Sequence, residues 1–184
     1  MSNFSDFFPA GGGGGGTPKF QEFLTSGTFT PSQALIDAGG YIDVFLVGGG
    51  GRSLSYPARG STGGEVIMTR MYLTSVTGCA VTIGAGGQTN GAGGSSSVFT
   101  GTSAGGSDVT SAGGSGSNAQ SGKSGSGWGA NSEFTGGSGV LGYGAGSSVG
   151  DGMGGVYAGK ANTGQGSYYN QTSGSGYCLI KWQE

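Results

Sequence analysis

The sequence predicts an all-β fold, a small glycine-rich, β-sandwich-like domain with extended segments of the polyglycine II type. Short runs rich in Val, Ile, Phe and Tyr indicate buried strands. Of the 184 residues, 48 are glycine, and only 9% of the residues are charged. Three times a strand-like run adjoins glycines, within residues 41–51, 65–87 and 176–182.

Residues 41–51 read YIDVFLVGGGG, so the most hydrophobic run of the chain leads into four glycines. Glycines have no side chains to pack, and such a run holds its place only if something packs tightly against bare backbone. Other strands are predicted at residues 25–31, 65–73, 79–83, 97–100 and 176–182. Residues 17–24 fit one helical turn or a strand, and residues 32–40 fit a turn with a brief helical piece. Residues 65–73 carry apolar residues on both faces, which predicts a central strand covered on both sides.

The tract from residue 101 to residue 166 has 23 glycines in 66 residues, interrupted mainly by Ser, Ala, Asn and Thr. This composition argues against a regular helix or sheet. Packed, extended three-fold helices of the polyproline II shape would order the tract, because glycine lets neighbouring backbones approach and hydrogen-bond to each other. The alternative is disorder, against which the low net charge and the apolar runs of the chain argue.

Two parts of the chain are predicted, an N-terminal attachment peptide with a glycine linker at residues 1–24 and a glycine-rich β domain at residues 25–184. Phe4, Phe7 and Phe8 lie in a short peptide that six glycines follow. Apolar anchors before a flexible spacer indicate a peptide that docks into another protein. The alternative is a terminus folded onto its own core. The start of the chain resembles neither a signal peptide nor a membrane anchor.

The composition argues against several classes of function. The net charge is -2 and no basic run is present, which argues against nucleic acid or an anionic membrane as partner. With no histidine and two cysteines, the chain has almost no ligands for a soft metal ion, and a Ser-His-Asp triad is excluded. We therefore expect no cofactor. Cys79 and Cys178 are expected to be buried free thiols, with a single disulfide as the alternative.

Four acidic residues could supply a glycosidase pair. They are Glu65, Asp108, Glu133 and Asp151. In a glycine-rich loop, however, an aspartate is more often a turn former that hydrogen-bonds to its own backbone. The sequence therefore favours a protein that is not an enzyme.

A set of aromatic and arginine side chains in predicted loops is a candidate binding surface. Its members are Arg52, Tyr56, Arg59, Trp128, Tyr157, Tyr168 and Tyr169. Aromatic faces stack on sugar rings and fill hot spots of protein interfaces, while arginine pairs with phosphate or carboxylate groups. The alternative is that these rings cover the sheet or pack between subunits.

Several runs, in this order, carry a resemblance to a known family. They are FLVGGGG, GGEV, VTIGAGG, SSSVF, a long glycine-serine tract and GSGYCLIKW. Together they resemble the glycine-rich domain of tailed-bacteriophage tail-fibre and tail-tip adhesin proteins, over about residues 25–184. The resemblance implies a β-rich virion protein that recognises a bacterial surface receptor. Adhesins of some T-even-like phages contain polyglycine II helices, and this chain is similar to them in composition.

The resemblance leads us to expect a tail-fibre tip protein located in the virion tail and made in the host cytoplasm. Phe4, Phe7 and Phe8 would attach it to a baseplate or longer fibre protein, and the loops would bind a glycan or outer-membrane protein of the host. A homotrimer is expected from the family habit, without membrane insertion. The main alternative is a purely structural virion component, a fibre shaft or decoration protein. An ice-binding protein and a polysaccharide-degrading fibre are weaker alternatives.

Overall fold

A computed structural model describes residues 16–52, 61, 63–88, 91–99, 108–114, 161–167 and 172–184. Over these residues the chain forms eight β-strands and one short helix. The elements are β1 Pro18–Phe23, β2 Gly27–Phe29, α1 Gln33–Asp37, β3 Tyr41–Val47, β4 Val66–Tyr72, β5 Cys79–Thr82, β6 Ser96–Phe99, β7 Val109–Ser111 and β8 Tyr177–Gln183. In this part of the chain no helix is long and apolar enough to cross a membrane.

The strands form two antiparallel sheets of four strands each, which confirms the all-β prediction. The first sheet has the order β1-β8-β3-β4 and the second the order β2-β5-β6-β7. Strand β3 pairs along its whole length with β4, from Tyr41 opposite Tyr72 to Val47 opposite Val66. Its other edge pairs with β8. The strand predicted from the most hydrophobic run is therefore hydrogen-bonded on both sides.

The main hydrophobic core contains side chains from both sheets. Ile42, Val44 and Leu46 project from one face of β3, as expected for the two-residue period of a strand. They belong to one cluster with Val81 of β5 and Val98 of β6 in the second sheet, and all of these residues are fully buried or nearly so. The two sheets therefore share this core.

A second cluster covers the opposite face of the first sheet near the end of β3. Its members come from β3, β4 and β8, and they are Phe45, Val47, Val66, Met68, Tyr177 and Leu179. The rings of Phe45 and Tyr177 meet edge to face, with centroids 6.0 Å apart. At this end, the first sheet is therefore buried on both faces.

The prediction that residues 65–73 form a central strand is wrong, because β4 lies at the edge of its sheet. Both of its faces do carry buried side chains, since Met71 joins the shared core and Met68 joins the second cluster. Burial of a strand's two faces is independent of the number of strands that hydrogen-bond to its edges. Apolar residues on both faces therefore do not identify a central strand.

Two further segments add detail to the sequence predictions. Residues 17–24, which fitted a helical turn or a strand, contain β1, which pairs with β8 from Pro18 opposite Gln183 to Phe23 opposite Cys178. Residues 18–23, assigned from sequence to the N-terminal segment, therefore belong to the first sheet. Within residues 101–166, predicted to lack regular sheet, β7 pairs with β6. A strand of three residues is too short to give a recognisable pattern.

A short helix closes the end of the sheets where β3 begins. The Ser32 hydroxyl accepts a hydrogen bond from the Leu35 N–H at 3.0 Å and caps the start of α1. After the helix the chain turns at Gly40, whose φ is 71°. A Cβ atom there would lie 1.9 Å from the Leu73 carbonyl oxygen. Only glycine fits this close approach, which joins the helix to the end of β4.

Both cysteines are buried free thiols, as the sequence predicts. Cys79 on β5 and Cys178 on β8 both belong to the shared core. Burial raises the pKa of Cys79 above its ordinary value and raises the pKa of Cys178 to about 12. Since the thiolate is the reactive form, the native protein should protect both sulfurs.

We expect both thiols to react with Ellman's reagent at pH 8 at least about a hundredfold more slowly in the native protein than in denaturant, because burial restricts access and disfavours the thiolate. The measurement is the rate of colour release with and without guanidinium. A native-state rate equal to the denatured rate would contradict the burial. Absence of any thiol in the denatured chain would show a disulfide instead.

Candidate functional site

Seven glycine-rich segments lie at one end of the two sheets. We number them in chain order as g1 (48–52), g2 (61 and 63–65), g3 (84–88), g4 (91–95), g5 (112–114), g6 (162–167) and g7 (172–176). Segments g1, g3 and g5 follow strands β3, β5 and β7, while g2, g4 and g7 precede β4, β6 and β8. Because neighbouring strands are antiparallel, these six segments leave each sheet at the same end.

Segment g1 is hydrogen-bonded through its backbone to all six of the others. Three successive N–H groups donate to three segments: Gly48 to the Glu65 oxygen of g2 (3.0 Å), Gly49 to the Gly94 oxygen of g4 (2.9 Å) and Gly50 to the Gly174 oxygen of g7 (2.8 Å). Three successive carbonyl groups accept from the other three: Gly49 from the Gly114 N–H of g5 (2.8 Å), Gly50 from the Gly87 N–H of g3 (2.7 Å) and Gly51 from the Ser167 N–H of g6 (3.1 Å). The central segment therefore uses a different backbone group for each neighbour.

The six outer segments are also bonded to one another in a closed ring. The order around g1 is g2, g5, g4, g3, g7, g6 and back to g2. Each of the six junctions in this order contains a backbone hydrogen bond of 2.8 or 2.9 Å from an N–H group to a carbonyl oxygen. The donor and acceptor residues are Glu65 and Ala112, Gly93 and Gly114, Gly94 and Ala85, Gly176 and Gly84, Gly174 and Gln165, and Gly64 and Gly164. Segments that accept from g1 thus alternate around the ring with segments that donate to it. We call this arrangement the glycine bundle.

Glycine is required in the bundle because the backbones touch. A Cβ atom on Gly49 would lie 2.0 Å from the Ala85 carbonyl oxygen, and one on Gly50 would lie 2.0 Å from the Gln165 oxygen. A Cβ atom on Gly93 would lie 2.0 Å from the Gly49 oxygen. These contacts are with backbone atoms that are themselves hydrogen-bonded, so no side-chain rotation can relieve them. A side chain at these positions would separate the segments.

Buried serine hydroxyls complete the hydrogen bonding at both ends of the bundle. At the junction with the sheets, the Ser96 hydroxyl donates to the Val47 carbonyl oxygen at 2.6 Å and accepts from the Gly84 N–H at 2.9 Å. It therefore joins β6, the end of β3 and the start of g3. At the other end, the Ser61 hydroxyl accepts from the Ser167 N–H at 2.8 Å and lies 2.5 Å from the Gly51 carbonyl oxygen.

We call the end of the bundle away from the sheets the far end. Segment g1 leads away from β3, and g6 runs parallel to it, with Arg52 bridged to Ser167. Segments g2 and g7 lead back toward β4 and β8. In the sequence, residues 53–60 therefore connect g1 to g2, and residues 168–171 connect g6 to g7. The residues that flank these two connections lie at the far end.

The structure places one of the residues predicted to bind a receptor. Arg52 is partly buried at the far end, and its N–H donates to the Gly91 carbonyl oxygen at 3.0 Å. The others lie outside the described residues: Tyr56, Arg59, Trp128, Tyr157, Tyr168 and Tyr169, together with Phe4, Phe7 and Phe8. By sequence position, Tyr56 and Arg59 fall in the 53–60 connection, and the two adjacent tyrosines fall in the 168–171 connection.

Of the four acidic candidates for a glycosidase pair, the structure describes two. The Glu65 carboxylate accepts from the Ala112 N–H at 2.9 Å, so it secures the junction of g2 and g5. Asp108 is exposed, whereas Glu133 and Asp151 lie outside the described residues. Over the described part of the chain, no group of three or more acidic, cysteine or histidine residues could hold a metal ion.

Substitution of Gly49 by Ala tests the contacts in the bundle. We expect Gly49→Ala to lower the free energy of unfolding by about 3 kcal/mol or more, the upper end of over-packing effects, because the Ala85 carbonyl cannot move without breaking its bond to Gly94. Denaturation in urea measures the change. The matched control is Gly27→Ala on β2, where the new Cβ would meet only the edge of the Phe23 ring at 3.3 Å. Equal losses in the two variants would contradict the assigned role of the bundle.

Comparisons with known proteins add no relative. No protein-family model matches the chain, and neither a curated protein nor a solved structure matches it.

Proposed function

We propose that the glycine bundle is a polyglycine II-type bundle that extends a glycine-rich, β-sandwich-like domain. A three-fold extended helix has three residues per turn and no internal hydrogen bonds, so successive N–H groups point to different neighbours. The N–H groups of Gly48, Gly49 and Gly50 have this pattern, since they reach three alternate segments of the ring. The core shared by the two sheets supports the sandwich description.

We propose that the protein is a phage tail-fibre tip protein that binds the host cell surface through the far end of the bundle. The observation that carries this proposal is the pairing of Arg52 with Ser167 at the far end. In the sequence, these two residues lead into the segments that contain Tyr56, Arg59, Tyr168 and Tyr169. Binding residues are commonly carried by loops on a rigid scaffold. Backbone bonds between all neighbouring segments make the bundle such a scaffold. The resemblance to tail-fibre and adhesin domains points the same way.

The chemistry of these side chains suits a glycan or an outer-membrane protein. Tyrosine rings stack on sugar faces, and a guanidinium group such as that of Arg59 can form paired hydrogen bonds with carboxylate or phosphate groups. The Nε atom of Arg52 is buried. No catalytic step is part of the proposal. Trp128 and Tyr157 remain candidates on the same chemical grounds, without a structural argument for their location.

The N-terminal segment is proposed to attach the protein to a baseplate or longer fibre protein. Strand β1 begins at Pro18, opposite Gln183, and Gln183 lies at the end of the first sheet where β3 begins. The chain therefore enters β1 at the end of the sheet remote from the bundle, and Phe4, Phe7 and Phe8 precede this entry point in the sequence. This arrangement separates attachment from receptor binding, as a fibre tip requires. A homotrimer remains part of the proposal because of the family resemblance.

A purely structural virion component is the second candidate. The bundle favours it in one respect, because seven hydrogen-bonded segments would also make a stiff spacer. Such a component would need no receptor. Binding to host cells therefore distinguishes the two candidates.

The test is retention of the purified full chain by a panel of bacterial strains. On a strain that retains the protein, we expect Tyr168→Ala/Tyr169→Ala to weaken binding at least about tenfold, as for hot-spot residues. The control is Tyr72→Ala, which removes an exposed tyrosine at the opposite end of the first sheet. Wild-type binding by the double variant would contradict the far-end site, and retention by no strain would favour the structural component.

A further inference from the structure

Three exposed aromatic residues lie on the outer face of the first sheet, the face that points away from the shared core. Phe20 is 68% exposed, Tyr41 57% and Tyr72 48%. Tyr41 and Tyr72 are directly opposite each other on β3 and β4, with ring centroids 5.3 Å apart. Large exposed rings that cluster on one face often mark an interaction site. We call these three residues the aromatic patch.

The register places the patch at the end of the sheet remote from the bundle. Phe20 on β1 lies opposite Lys181, which in turn lies opposite Asp43 on β3. Tyr41 and Tyr72 occupy the next row on the same face. The patch therefore spans the sheet from β1 to β4, which is three strand spacings, or about 14 Å.

The N-terminal segment meets the sheet at this same end. The Thr17 N–H donates to the Glu184 carbonyl oxygen, and the Glu184 N–H donates to the Thr17 oxygen, which fixes the start of β1. The chain before Gly16 includes Phe4, Phe7 and Phe8. An acidic residue, Asp6, lies among them. The row beside the tyrosines contains Lys181 and the ion pair of Arg70 with Asp43, so its net charge is positive.

The tether between the phenylalanines and the sheet has a suitable length. Residues 9–16 include six consecutive glycines. Seven residues, 9–15, separate Phe8 from Gly16, which lies against Glu184. A flexible chain of seven residues has a root-mean-square length of roughly 13–16 Å, close to the three strand spacings, about 14 Å, between the start of β1 and Tyr72 on β4. When the length of a tether matches the distance to be spanned, the effective concentration of the tethered group is at its maximum, in the millimolar range.

We propose that, in the protein free of its attachment partner, residues 4–8 dock on the aromatic patch of their own chain. Phe4, Phe7 and Phe8 would pack against Tyr41, Tyr72 and Phe20, since offset and edge-to-face aromatic pairs are favourable beyond their buried area. The docked segment covers two apolar surfaces of the free protein at once. A partner that binds the phenylalanines would release the segment and uncover the patch. The inference goes beyond the proposed function and does not depend on receptor binding.

Limited proteolysis with chymotrypsin, followed by intact mass, tests the docking. We expect the full chain to be cleaved after Phe4 or Phe7 about tenfold more slowly than the variant Tyr41→Ser/Tyr72→Ser, because opening of the docked segment limits cleavage. Leu24→Ser is the matched control, since Leu24 is 51% exposed but lies beyond the opposite end of β1. It should be cleaved at the wild-type rate.

Equal cleavage rates in the wild-type protein and the double tyrosine variant would overturn the proposal. Protection that increases with protein concentration would also overturn it, and would assign the patch to a second copy of the chain.

A complementary measurement uses Phe4→Ser/Phe7→Ser/Phe8→Ser, which changes no residue of the sheets. The ring resonances of Tyr41 and Tyr72 should shift in that variant, and unchanged resonances would contradict docking. Retention on host cells is read separately, so failure here leaves the proposed function intact.

Discussion

The hydrogen bonding of residues 48–51 to six neighbouring segments is the constraint on which the rest of the structure depends. Three N–H groups and three carbonyl groups of this stretch find partners in six different parts of the chain. Each partner segment except g6 adjoins a strand of one of the two sheets. The order of the strands in the sheets must therefore be compatible with the order of the six segments around g1. A side chain on Gly49 or Gly50 would break both, since its Cβ would overlap a backbone oxygen.

The sheets and the bundle stabilise each other. Ordering glycine costs more conformational entropy than ordering any other residue, and each backbone hydrogen bond returns only about 0.5–1.5 kcal/mol net. A bundle of free glycine segments would therefore be marginal. Here the two sheets bury their apolar side chains in a shared core that does not include the glycine segments, and they hold six of these segments in place at one end. The Ser96 hydroxyl, which bonds to both Val47 and Gly84, shows how closely the two parts are joined.

Much of the sheet structure could be predicted from the sequence, because side-chain patterns report burial. Residues 41–47 form β3 with the predicted bounds, and the thiols of Cys79 and Cys178 are buried as expected. The edge position of β4 could not be predicted, since apolar faces carry no information about edge pairing. The ring of segments was also beyond the sequence. Glycine marks where backbones approach, but its partners, such as Gly94 for Gly49, depend on backbone atoms that every residue shares.

Amide hydrogen exchange of the central segment tests the bundle most directly. We expect the N–H groups of Gly48, Gly49 and Gly50 to exchange as slowly as those in the middle of β3, within about one order of magnitude, because they are buried and open only when the domain unfolds. Exchange of these three amides within seconds, with β3 still protected, would show that the glycine bundle does not form in solution.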